Sequence, residues 1–241
     1  MSQSEKPGAS PLYLQVREIL TRRISSGSLG PGAALPSEFQ IAEDLGVSQG
    51  TVRKALDALA QERLVVRVQG KGTFVVEQTP EEVHFRFFNI FDADGRRVLP
   101  DSRNTKVTSG QANTEERRKL ELPAKSRVCR MRRVRTVNER PFIVERIVLP
   151  EAMFPNIAQR GEVPNTLYDL FQAEYGVLVM RARDTVHAEA CPTDVATALK
   201  VAQGTPLTVI DRVATAIGDV PVEWRVRSCH LDGLRYVANV E

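Results

Sequence analysis

The chain has 241 residues, of which 42% are hydrophobic and 26% are charged, and its formal net charge is +3. This length suffices for two modest domains, and the composition excludes wholesale disorder. The longest apolar runs are shorter than the roughly 18 residues that cross a bilayer, and the polar N-terminus lacks a signal-peptide core. We therefore expect a cytoplasmic protein that makes no membrane contact.

Cysteine usage narrows the possible chemistry. The three cysteines are odd in number and widely spaced, with no Cys-x-x-Cys pattern: Cys129, Cys191 and Cys229. Such spacing argues against a disulfide framework and against a zinc site, and it fits a reducing compartment. The sequence also lacks Ser/His/Asp and Cys/His motifs and a phosphate-cradling glycine loop. It therefore predicts no metal, no cofactor and no enzymatic activity.

The N-terminal segment begins with a polar leader and a first helix. Residues 1–10 are small and polar, and we expect them to be disordered. Pro11 opens a helix that runs from about Leu12 to Gly27. Its apolar residues recur at the spacing of a single helical stripe, namely Leu12, Val16, Ile19, Leu20 and Ile24.

Two short helices separated by a tight turn follow. Ser37 caps the first of them, and its predicted inner face consists of Phe39, Ile41, Ala42 and Leu45. Gly46 ends this helix, Val47 fills the turn, and Ser48 caps the next helix. The apolar positions of that second helix are Val52, Ala55, Leu56 and Leu59. Two helices joined in this way form a helix-turn-helix, whose second helix is sized for a DNA major groove.

A β-hairpin completes this segment, with strands predicted at Leu64–Val68 and Thr73–Val76 around a turn at Gln69–Gly72. The glycines let the backbone approach a phosphate or a minor groove, and Lys71 adds a positive charge. An ordinary surface hairpin is the alternative, but the preceding helix-turn-helix favours a DNA-binding wing. Total charge is uninformative here, because residues 1–76 carry nine Lys or Arg against seven Asp or Glu, a difference of +2.

This succession of elements resembles the GntR family of bacterial transcriptional regulators. Four motifs fall at the family's intervals, within Pro11–Tyr13, Leu35–Glu38, Val47–Leu56 and Arg67–Val75. The resemblance implies a winged helix-turn-helix over residues 11–76. The chain departs from the family at Phe39, where many relatives place a DNA-contacting Arg, and at Gly50, where a small polar residue is common. We expect these departures to affect which operator is bound.

The residues predicted to contact DNA lie at the start of the second helix and on the wing. Gln can pair with adenine, Arg with guanine or phosphate, and Ser or Thr with base edges or the backbone. The family resemblance implies Arg53 and the wing-tip Gly70 as contacts, and the alternative for Arg53 is a solvated helix charge. The full predicted set is Ser48, Gln49, Thr51, Arg53, Lys54, Arg67, Gly70, Lys71 and Thr73.

After a linker predicted at residues 77–83, the chain contains a weak internal repeat. A helix from Thr114 is followed by a strand, a Pro-containing turn and a second strand that carries Glu145. The same succession recurs about 79 residues later, from Thr193 to Glu223. This pattern predicts two related α+β halves that share one antiparallel sheet, with a cleft between them suited to a small ligand.

Most of residues 83–236 resemble the UTRA ligand-sensing domain that marks the HutC branch of the same family, and we predict that this domain comprises residues 84–241. The matching positions are Arg133, Arg135, Pro141, Glu145, Pro150, Thr166–Tyr168, Gly204–Leu207 and Arg212. The resemblance implies a fold similar to that of chorismate lyase, and it implies that the two Arg positions and the Glu position line an effector site. We also expect this domain to carry the dimer contacts.

The side-chain chemistry agrees with an effector site. Arg133 and Arg135 are two residues apart, so they face the same side of a strand and suit a carboxylate or phosphate. Glu145, in the partner strand, can accept hydrogen bonds from ligand hydroxyl or amine groups. Relatives that bind sugar phosphates often have Ser or Thr in the segment that is Phe88–Phe91 here, so the resemblance implies a less phosphate-like effector, such as a carboxylate with an apolar or aromatic body. The alternatives are a solvated basic strand and, for His230, core packing. The predicted effector set is Arg133, Arg135, Glu145, Thr166, Tyr168, Phe88, Asn89, Glu223 and His230.

Together these features predict a transcriptional repressor that binds a palindromic operator as a homodimer and is released by a small anionic metabolite. Two other hypotheses differ in testable ways. An enzyme, suggested by the lyase-like fold, would need an acid–base pair, which two arginines and one glutamate do not form. An architectural DNA binder would have a DNA affinity that no effector changes.

Overall fold

A computed structural model describes residues 10–25, 27–30, 32–62, 64–76, 87–161 and 163–238. The chain forms two compact units that divide after Gln78. Residues 1–9 of the predicted leader and the whole predicted linker, residues 77–83, lie outside the described residues. Within the described part of the chain, every helix is too short or too polar to span a membrane.

The N-terminal unit contains α1 (Leu12–Ser25), α2 (Glu38–Leu45), α3 (Gln49–Gln61), β1 (Val65–Val68) and β2 (Gly72–Val75). Helix α2 begins with a capping box, in which Ser37 Oγ accepts the N–H of Gln40 and the Gln40 side chain accepts the N–H of Ser37. Gly46 ends α2 in the left-handed conformation, with φ of 63°. Ser48 then caps α3 by accepting the N–H of Thr51. The helix-turn-helix therefore forms at the local signals that predicted it.

The core of this unit is built from one stripe of each helix and from the wing strands. Its buried apolar residues include Val16, Leu20, Ile24, Ile41, Ala42, Val52, Ala55, Leu56, Leu59, Leu64, Val65 and Val75. Two predicted inner positions are wrong, since Leu12 is 58% exposed and Phe39 is 61% exposed. Phe39 precedes Ile41 by two residues, about 200° around the helix axis, so it points to solvent when Ile41 points inward. Leu12 is the first residue of α1 and lies one turn before Val16, the first buried residue of that helix.

The wing, defined as residues 65–75, is an antiparallel ribbon in which Val65 lies opposite Val75. Its turn depends on glycine, because Gly70 and Gly72 have φ values of 73° and 118° that L side chains rarely adopt. The segment before α2 is attached to the wing, since the Leu35 N–H donates to a wing carbonyl at 2.8 Å. The wing thus belongs to the same folded body as the helices.

Over residues 87–161 and 163–238, the main elements of the C-terminal unit are a short ribbon, a six-stranded sheet and the α-helices of this list: β3 (Ile90–Phe91), β4 (Asp101–Gln111), α4 (Thr114–Lys119), β5 (Arg127–Val137), β6 (Arg140–Pro150), α5 (Leu167–Tyr175), β7 (Arg181–Ala190), α6 (Thr193–Leu199), β8 (Pro206–Thr215), β9 (Pro221–Cys229) and β10 (Arg235–Tyr236). Strand β3 pairs with β10. The other six strands form one antiparallel sheet in the order β4-β5-β6-β9-β8-β7.

The predicted duplication is visible in this order. The units β4-α4-β5-β6 and β7-α6-β8-β9 are arranged symmetrically, and they meet where β6 pairs with β9. This confirms the α+β class and the shared antiparallel sheet. The repeat pattern does not predict the outer strands β4 and β7, because neither shows a clear alternation of apolar and polar residues.

The two faces of the sheet are covered differently. On one face, α5 packs through Leu170 and Phe171 against sheet residues such as Met131. On the opposite face, α6 packs through Val195 and Leu199. The face covered by α5 also carries a group of buried charged residues. Their side chains come from neighbouring strands and lie close together around one pocket.

Candidate DNA interface and ligand pocket

The first turn of α3 presents polar side chains on an exposed surface. Gln49, Arg53 and Lys54 are exposed, and Thr51 is half-buried. The hydroxyl oxygens of Ser48 and Thr51 lie 2.9 Å apart and bond each other, so both are engaged in capping the helix. Gln49 and Arg53 are therefore the side chains of this turn best placed to reach a base edge.

Glu38 connects α3 to the wing. Its carboxylate pairs with Arg53 at 2.9 Å and with Arg67 at 3.3 Å. Arg67 also pairs with Asp57 at 3.0 Å and donates to the Arg53 carbonyl oxygen at 3.4 Å. The hydrogen bond and charge of Glu38 raise the pKa of Arg53. Arg67 is thus engaged in holding the wing beside α3, whereas Arg53 keeps 62% of its side chain exposed.

The remaining residues predicted to contact DNA differ in their exposure and in the contacts they already make within the unit. The Lys54 ammonium lies 4.3 Å from the centre of the Tyr13 ring, which is a cation–π contact with α1. Gly70 and Lys71 are exposed at the wing tip. Thr73 is half-buried, and its carbonyl accepts a backbone hydrogen bond inside the unit. Arg53 and Lys71 are therefore the basic side chains of this surface that are most accessible to DNA.

In the C-terminal unit, four arginines line one pocket on the face of the sheet covered by α5. Arg133 and Arg135 share one side of β5, as the sequence predicts, and Arg225 and Arg227 meet them from β9. The two pairs come from opposite halves of the duplicated sheet. The lining residues are Phe87, Phe88, Arg133, Arg135, Asn165, Thr166, Leu167, Tyr168, Arg225 and Arg227.

Glu145 lies behind these arginines, with 1% of its side chain exposed. One carboxylate oxygen accepts from Arg133 Nε at 2.6 Å, and the other accepts from Arg227 Nε at 2.8 Å and from Arg225 at 3.4 Å. Burial alone raises the pKa of Glu145, but the arginines outweigh it and hold this pKa well below the usual range. Enclosed in this way, Glu145 orients guanidinium groups and is not open to a ligand hydroxyl. This corrects the role expected from the sequence.

Two further carboxylates hold parts of the same network. Buried Glu223 accepts from Arg225 at 2.6 Å and from the Tyr168 hydroxyl at 2.9 Å. Burial and the charge of Glu223 raise the pKa of Tyr168 to about 12, so this hydroxyl remains a donor at neutral pH. Behind the pocket, Arg212 makes two hydrogen bonds of 2.6 Å to Asp184. These contacts fix the side chains before any ligand arrives.

The network contains more positive than negative charge. Its buried arginines are Arg133, Arg135, Arg212, Arg225 and Arg227, and its carboxylates are Asp184, Glu145 and Glu223, so five charges face three and the balance is +2. Arg135 has no carboxylate within ion-pair distance among the described residues, and it donates to Ser102 Oγ at 2.6 Å. Burial lowers the pKa of Arg135 to about 9, which still leaves it charged at neutral pH.

Two donors in the pocket also lack acceptors. The Nε atoms of Arg135 and Arg225 are buried with no hydrogen-bond partner in the part of the chain that the structure describes. A buried donor without an acceptor costs free energy, so the residues of the network do not satisfy all of its own donors. The arginine cluster is therefore suited to bind a negatively charged group.

Aromatic rings line the pocket beside the charges. The Phe88 ring centre lies 5.9 Å from the guanidinium carbon of Arg135 and 5.3 Å from that of Arg227. The Tyr168 ring centre lies 5.4 Å from the guanidinium carbon of Arg225. These contacts keep the guanidinium planes in place, and they give the pocket an apolar wall next to its charged floor.

The structure brings together most of the predicted effector residues. Those that line the pocket are Phe88, Arg133, Arg135, Thr166 and Tyr168. Glu145 and Glu223 lie behind the arginines. Asn89 and His230 are not among the lining residues, which differs from the expectation.

Chain geometry explains the two exceptions. Asn89 follows Phe88 directly, so in an extended chain it points the opposite way, and it borders a neighbouring depression beside Arg212. His230 lies beyond the end of β9, where its N–H donates to the Phe142 carbonyl at 2.8 Å.

Arg225 and Arg227 line the pocket but were not predicted as site residues, although the sequence contains a signal for them. They are two residues apart on a predicted strand, which is the same spacing that identified Arg133 and Arg135. Asn165, whose carbonyl accepts from both Arg133 and Arg135, lies in a loop and has no such signal.

Comparison with known families identifies a family model for each of the two units. Residues 12–75 match the model of the bacterial regulatory proteins of the gntR family, and residues 95–235 match the UTRA domain. The chain belongs to the GntR family. This combination of domains agrees with the HutC branch named from the sequence.

Several relatives align with most of the length of this protein. The HTH-type transcriptional repressor NagR of Bacillus subtilis is 29% identical over 86% of this chain and 85% of its own length. The mannosyl-D-glycerate transport/metabolism system repressor MngR of Escherichia coli is 27% identical over 83% of each chain. A transcriptional regulator of Mycobacterium tuberculosis is 30% identical over 90% of this chain and 81% of its own.

Solved structures share the fold. The ligand-binding domain of a protein described as a GntR-family regulator from Bordetella bronchiseptica is 28% identical, has a TM-score of 0.59, and covers 65% of this chain and 98% of its own. PhnF from Mycobacterium smegmatis is 22% identical, has a TM-score of 0.55, and covers 94% of this chain and 99% of its own. At that identity, PhnF supports the fold alone.

Proposed function

We propose that this GntR-family chain is a transcriptional repressor that binds a palindromic operator as a homodimer and releases it when a small anion occupies the C-terminal pocket. The exposed start of α3 beside the wing supports DNA reading. The names of the relatives NagR and MngR support repression. Effector control requires that the anion bind the released form more tightly than the DNA-bound form.

The observation that carries the ligand assignment is the unbalanced charge of the pocket. Arg135 is buried and charged without a carboxylate partner among the described residues, and its Nε has no acceptor there. A carboxylate or phosphate of the ligand supplies the missing negative charge and can accept hydrogen bonds from the guanidinium groups that line the pocket. Phe87, Phe88 and Leu167 border the same space, so a carboxylate with an apolar or aromatic body fits best.

We assign binding and not turnover to this pocket. Glu145 and Glu223 are both buried and held by arginines. Neither carboxylate is therefore free to accept a proton from a bound molecule and pass it on, which general acid–base catalysis requires.

Dimerisation follows from the way such motifs read DNA. One helix-turn-helix contacts a short half-site, and two copies related by two-fold symmetry read two half-sites about one helical turn apart. Most soluble homo-oligomers have such a closed two-fold arrangement.

Selection from a random duplex library tests the DNA assignment. Duplexes retained by the full chain should converge on a palindrome, and fluorescence anisotropy at moderate salt should show that they bind far more tightly than a scrambled duplex. Retention without any preferred sequence would contradict the proposal.

A thermal-shift panel tests the ligand assignment. Benzoate, citrate, glycerate and glucose 6-phosphate are compared with the neutral analogues benzamide and glucose. An anion that prefers the folded state raises the melting temperature, whereas its neutral analogue does not. The same anion should then release the selected operator. Stabilisation by the neutral compounds alone would rule out the anion assignment.

A further inference from the structure

Strand β7 is an edge of the six-stranded sheet and is exposed along most of its length. It comes last in the strand order, paired with β8 on one side. From Thr185 to Ala190 every side chain is exposed, on both faces of the sheet. Val186, in the middle of this ten-residue strand, is 46% exposed. Long edge strands of this kind are templates for pairing with another chain.

The other edge of the same sheet is protected. Strand β4 has a register shift between Arg103 and Lys106, and a lysine lies at that irregularity. Bulges and edge lysines are the usual means by which a sheet edge is kept from pairing. Strand β7, in contrast, pairs with β8 in unbroken register from Arg181 to Ala190. The two edges therefore differ in regularity, because a bulge interrupts β4 and none interrupts β7.

The outward backbone groups of β7 belong to its even-numbered residues. The Cys191 N–H donates inward to the Thr205 carbonyl at 2.9 Å. Ala190 lies opposite Pro206, which has no N–H to give. Since inward and outward residues alternate in an antiparallel pair, the N–H and C=O of residues such as Val186 point away from β8.

We propose that two copies of this chain pair along β7, antiparallel, with Val186 next to the two-fold axis, so that two six-stranded sheets become one continuous sheet. This inference rests on the proposed homodimer and names its interface. In this register Arg183 of one protomer lies opposite Glu189 of its partner, and the contact occurs twice. Neither side chain has an ion-pair partner within the described residues. Opposite charges in facing positions stabilise a strand pair.

The apolar contacts fit the same register. Val186 lies opposite Ile210, which is fully buried in a cluster with Phe142 and Ile143. On its other side Ile210 lies opposite Arg227, so Val186 and Ile210 form an apolar pair at this edge of the sheet. Across the proposed axis Val186 lies opposite Val186 of the partner, so the pairing covers an apolar side chain that is exposed in the isolated protomer.

Charge reversal tests the register in the full-length protein. Arg183→Glu and Glu189→Arg each replace two attractive contacts by two repulsive ones, and each should raise the dimer dissociation constant about tenfold or more. The double variant restores opposite charges across the axis and should restore dimerisation to near the wild-type value. Lys106→Glu, on the protected edge, is the matched control and should leave the constant unchanged. Sedimentation velocity over a concentration series measures all four.

A backbone variant tests the strand pairing independently of charge. Val186→Pro removes an outward N–H that no strand of the protomer uses, so the melting temperature should change little while the dimer is lost. Val186→Ala keeps the N–H and should remain mostly dimeric. If the wild type is a dimer and neither the reversals nor Val186→Pro weaken it, the β7 interface is wrong while the proposed repressor stands. A wild type that is monomeric at micromolar concentration overturns both.

Discussion

Arg135 combines burial, positive charge and the lack of a carboxylate partner among the described residues. We predict that Arg135→Ala lowers the affinity for the anion selected in the thermal-shift panel by roughly 10- to 100-fold, because it removes charge-assisted hydrogen bonds. Operator binding without anion should be unchanged. Isothermal titration calorimetry measures the loss. Arg132→Ala, on the opposite face of β5, is the control, and an equal loss in both variants would contradict the pocket assignment.

Glu145 is the counter-charge that three arginines share. Glu145→Gln keeps the shape and removes the charge, so we expect the free energy of unfolding of the C-terminal unit to fall by about 3–5 kcal/mol. Because the folded-state pKa of Glu145 lies below its unfolded value, its contribution is present above the unfolded pKa. It is lost only as pH falls through the folded pKa, so the full effect is expected at pH 7.

Urea denaturation at pH 7 measures this change. Glu151→Gln is the control, since it removes a partly exposed ion pair with Arg127 and should cost less than about 1 kcal/mol. A loss for Glu145→Gln no larger than that of the control would show that the buried network is not held by this carboxylate.

Arg53 is the exposed cation of α3 that Glu38 positions. We predict that Arg53→Ala weakens operator binding by about 10- to 100-fold, as expected for an arginine that contacts a base or phosphate. Arg22→Ala provides the control, because Arg22 is an exposed α1 residue paired with Glu18. Anisotropy with the selected operator distinguishes them, and equal effects would argue against a specific role for Arg53.

At the scale of the element, two glycines of the N-terminal unit have opposite roles. Gly50 lies within α3, and a Cβ there would meet only Ser48 Oγ at 3.8 Å. Gly50→Ala should therefore raise the free energy of unfolding by about 0.5–1 kcal/mol through helix propensity. Gly70 has a φ of 73° at the wing tip, so Gly70→Ala should lower it by about 1 kcal/mol.

Thermal melts of the two variants give the sign of each change. Gly70→Ala should also weaken operator binding, because it disturbs the turn that brings the wing to the backbone. Stabilisation by both substitutions would mean that the wing turn does not need a positive φ.

Elements formed by local signals were the most predictable. Helices α2 and α3 begin and end at Ser37, Gly46 and Ser48, whose side chains or backbone conformations act within one turn. The repeated αββ pattern predicted the shared sheet for a similar reason, since alternation along each inner strand is a property of neighbouring residues. The predicted burial of Phe39 was wrong, because α2 has only eight residues and so short a sequence does not specify which side of the helix faces the core. Tertiary packing decides that orientation.

At the scale of the whole molecule, the proposed function requires coupling between the pocket and the operator. If the anion lowers operator affinity by some factor, the operator must lower anion affinity by the same factor, because the binding free energies form a closed cycle. We expect a factor of about 5–150. Titrating each ligand in the presence and absence of the other measures both values. If the anion and the operator changed each other's affinity by different factors, one dimeric species could not be binding both ligands. A factor of one would favour an architectural DNA binder.

The sequence alone determined the two folded units, the reading helix with its wing, and the side of β5 on which Arg133 and Arg135 lie. These depend on caps, turns and the two-residue strand period, which act over a few positions. Only the tertiary structure decided that Arg225 and Arg227 complete the pocket, that Glu145 is enclosed behind them, and that β7 is left as an unbroken edge. The pairing of β6 with β9 joins residues about 80 positions apart, and no local interaction specifies which strand becomes the neighbour or which remains at the edge.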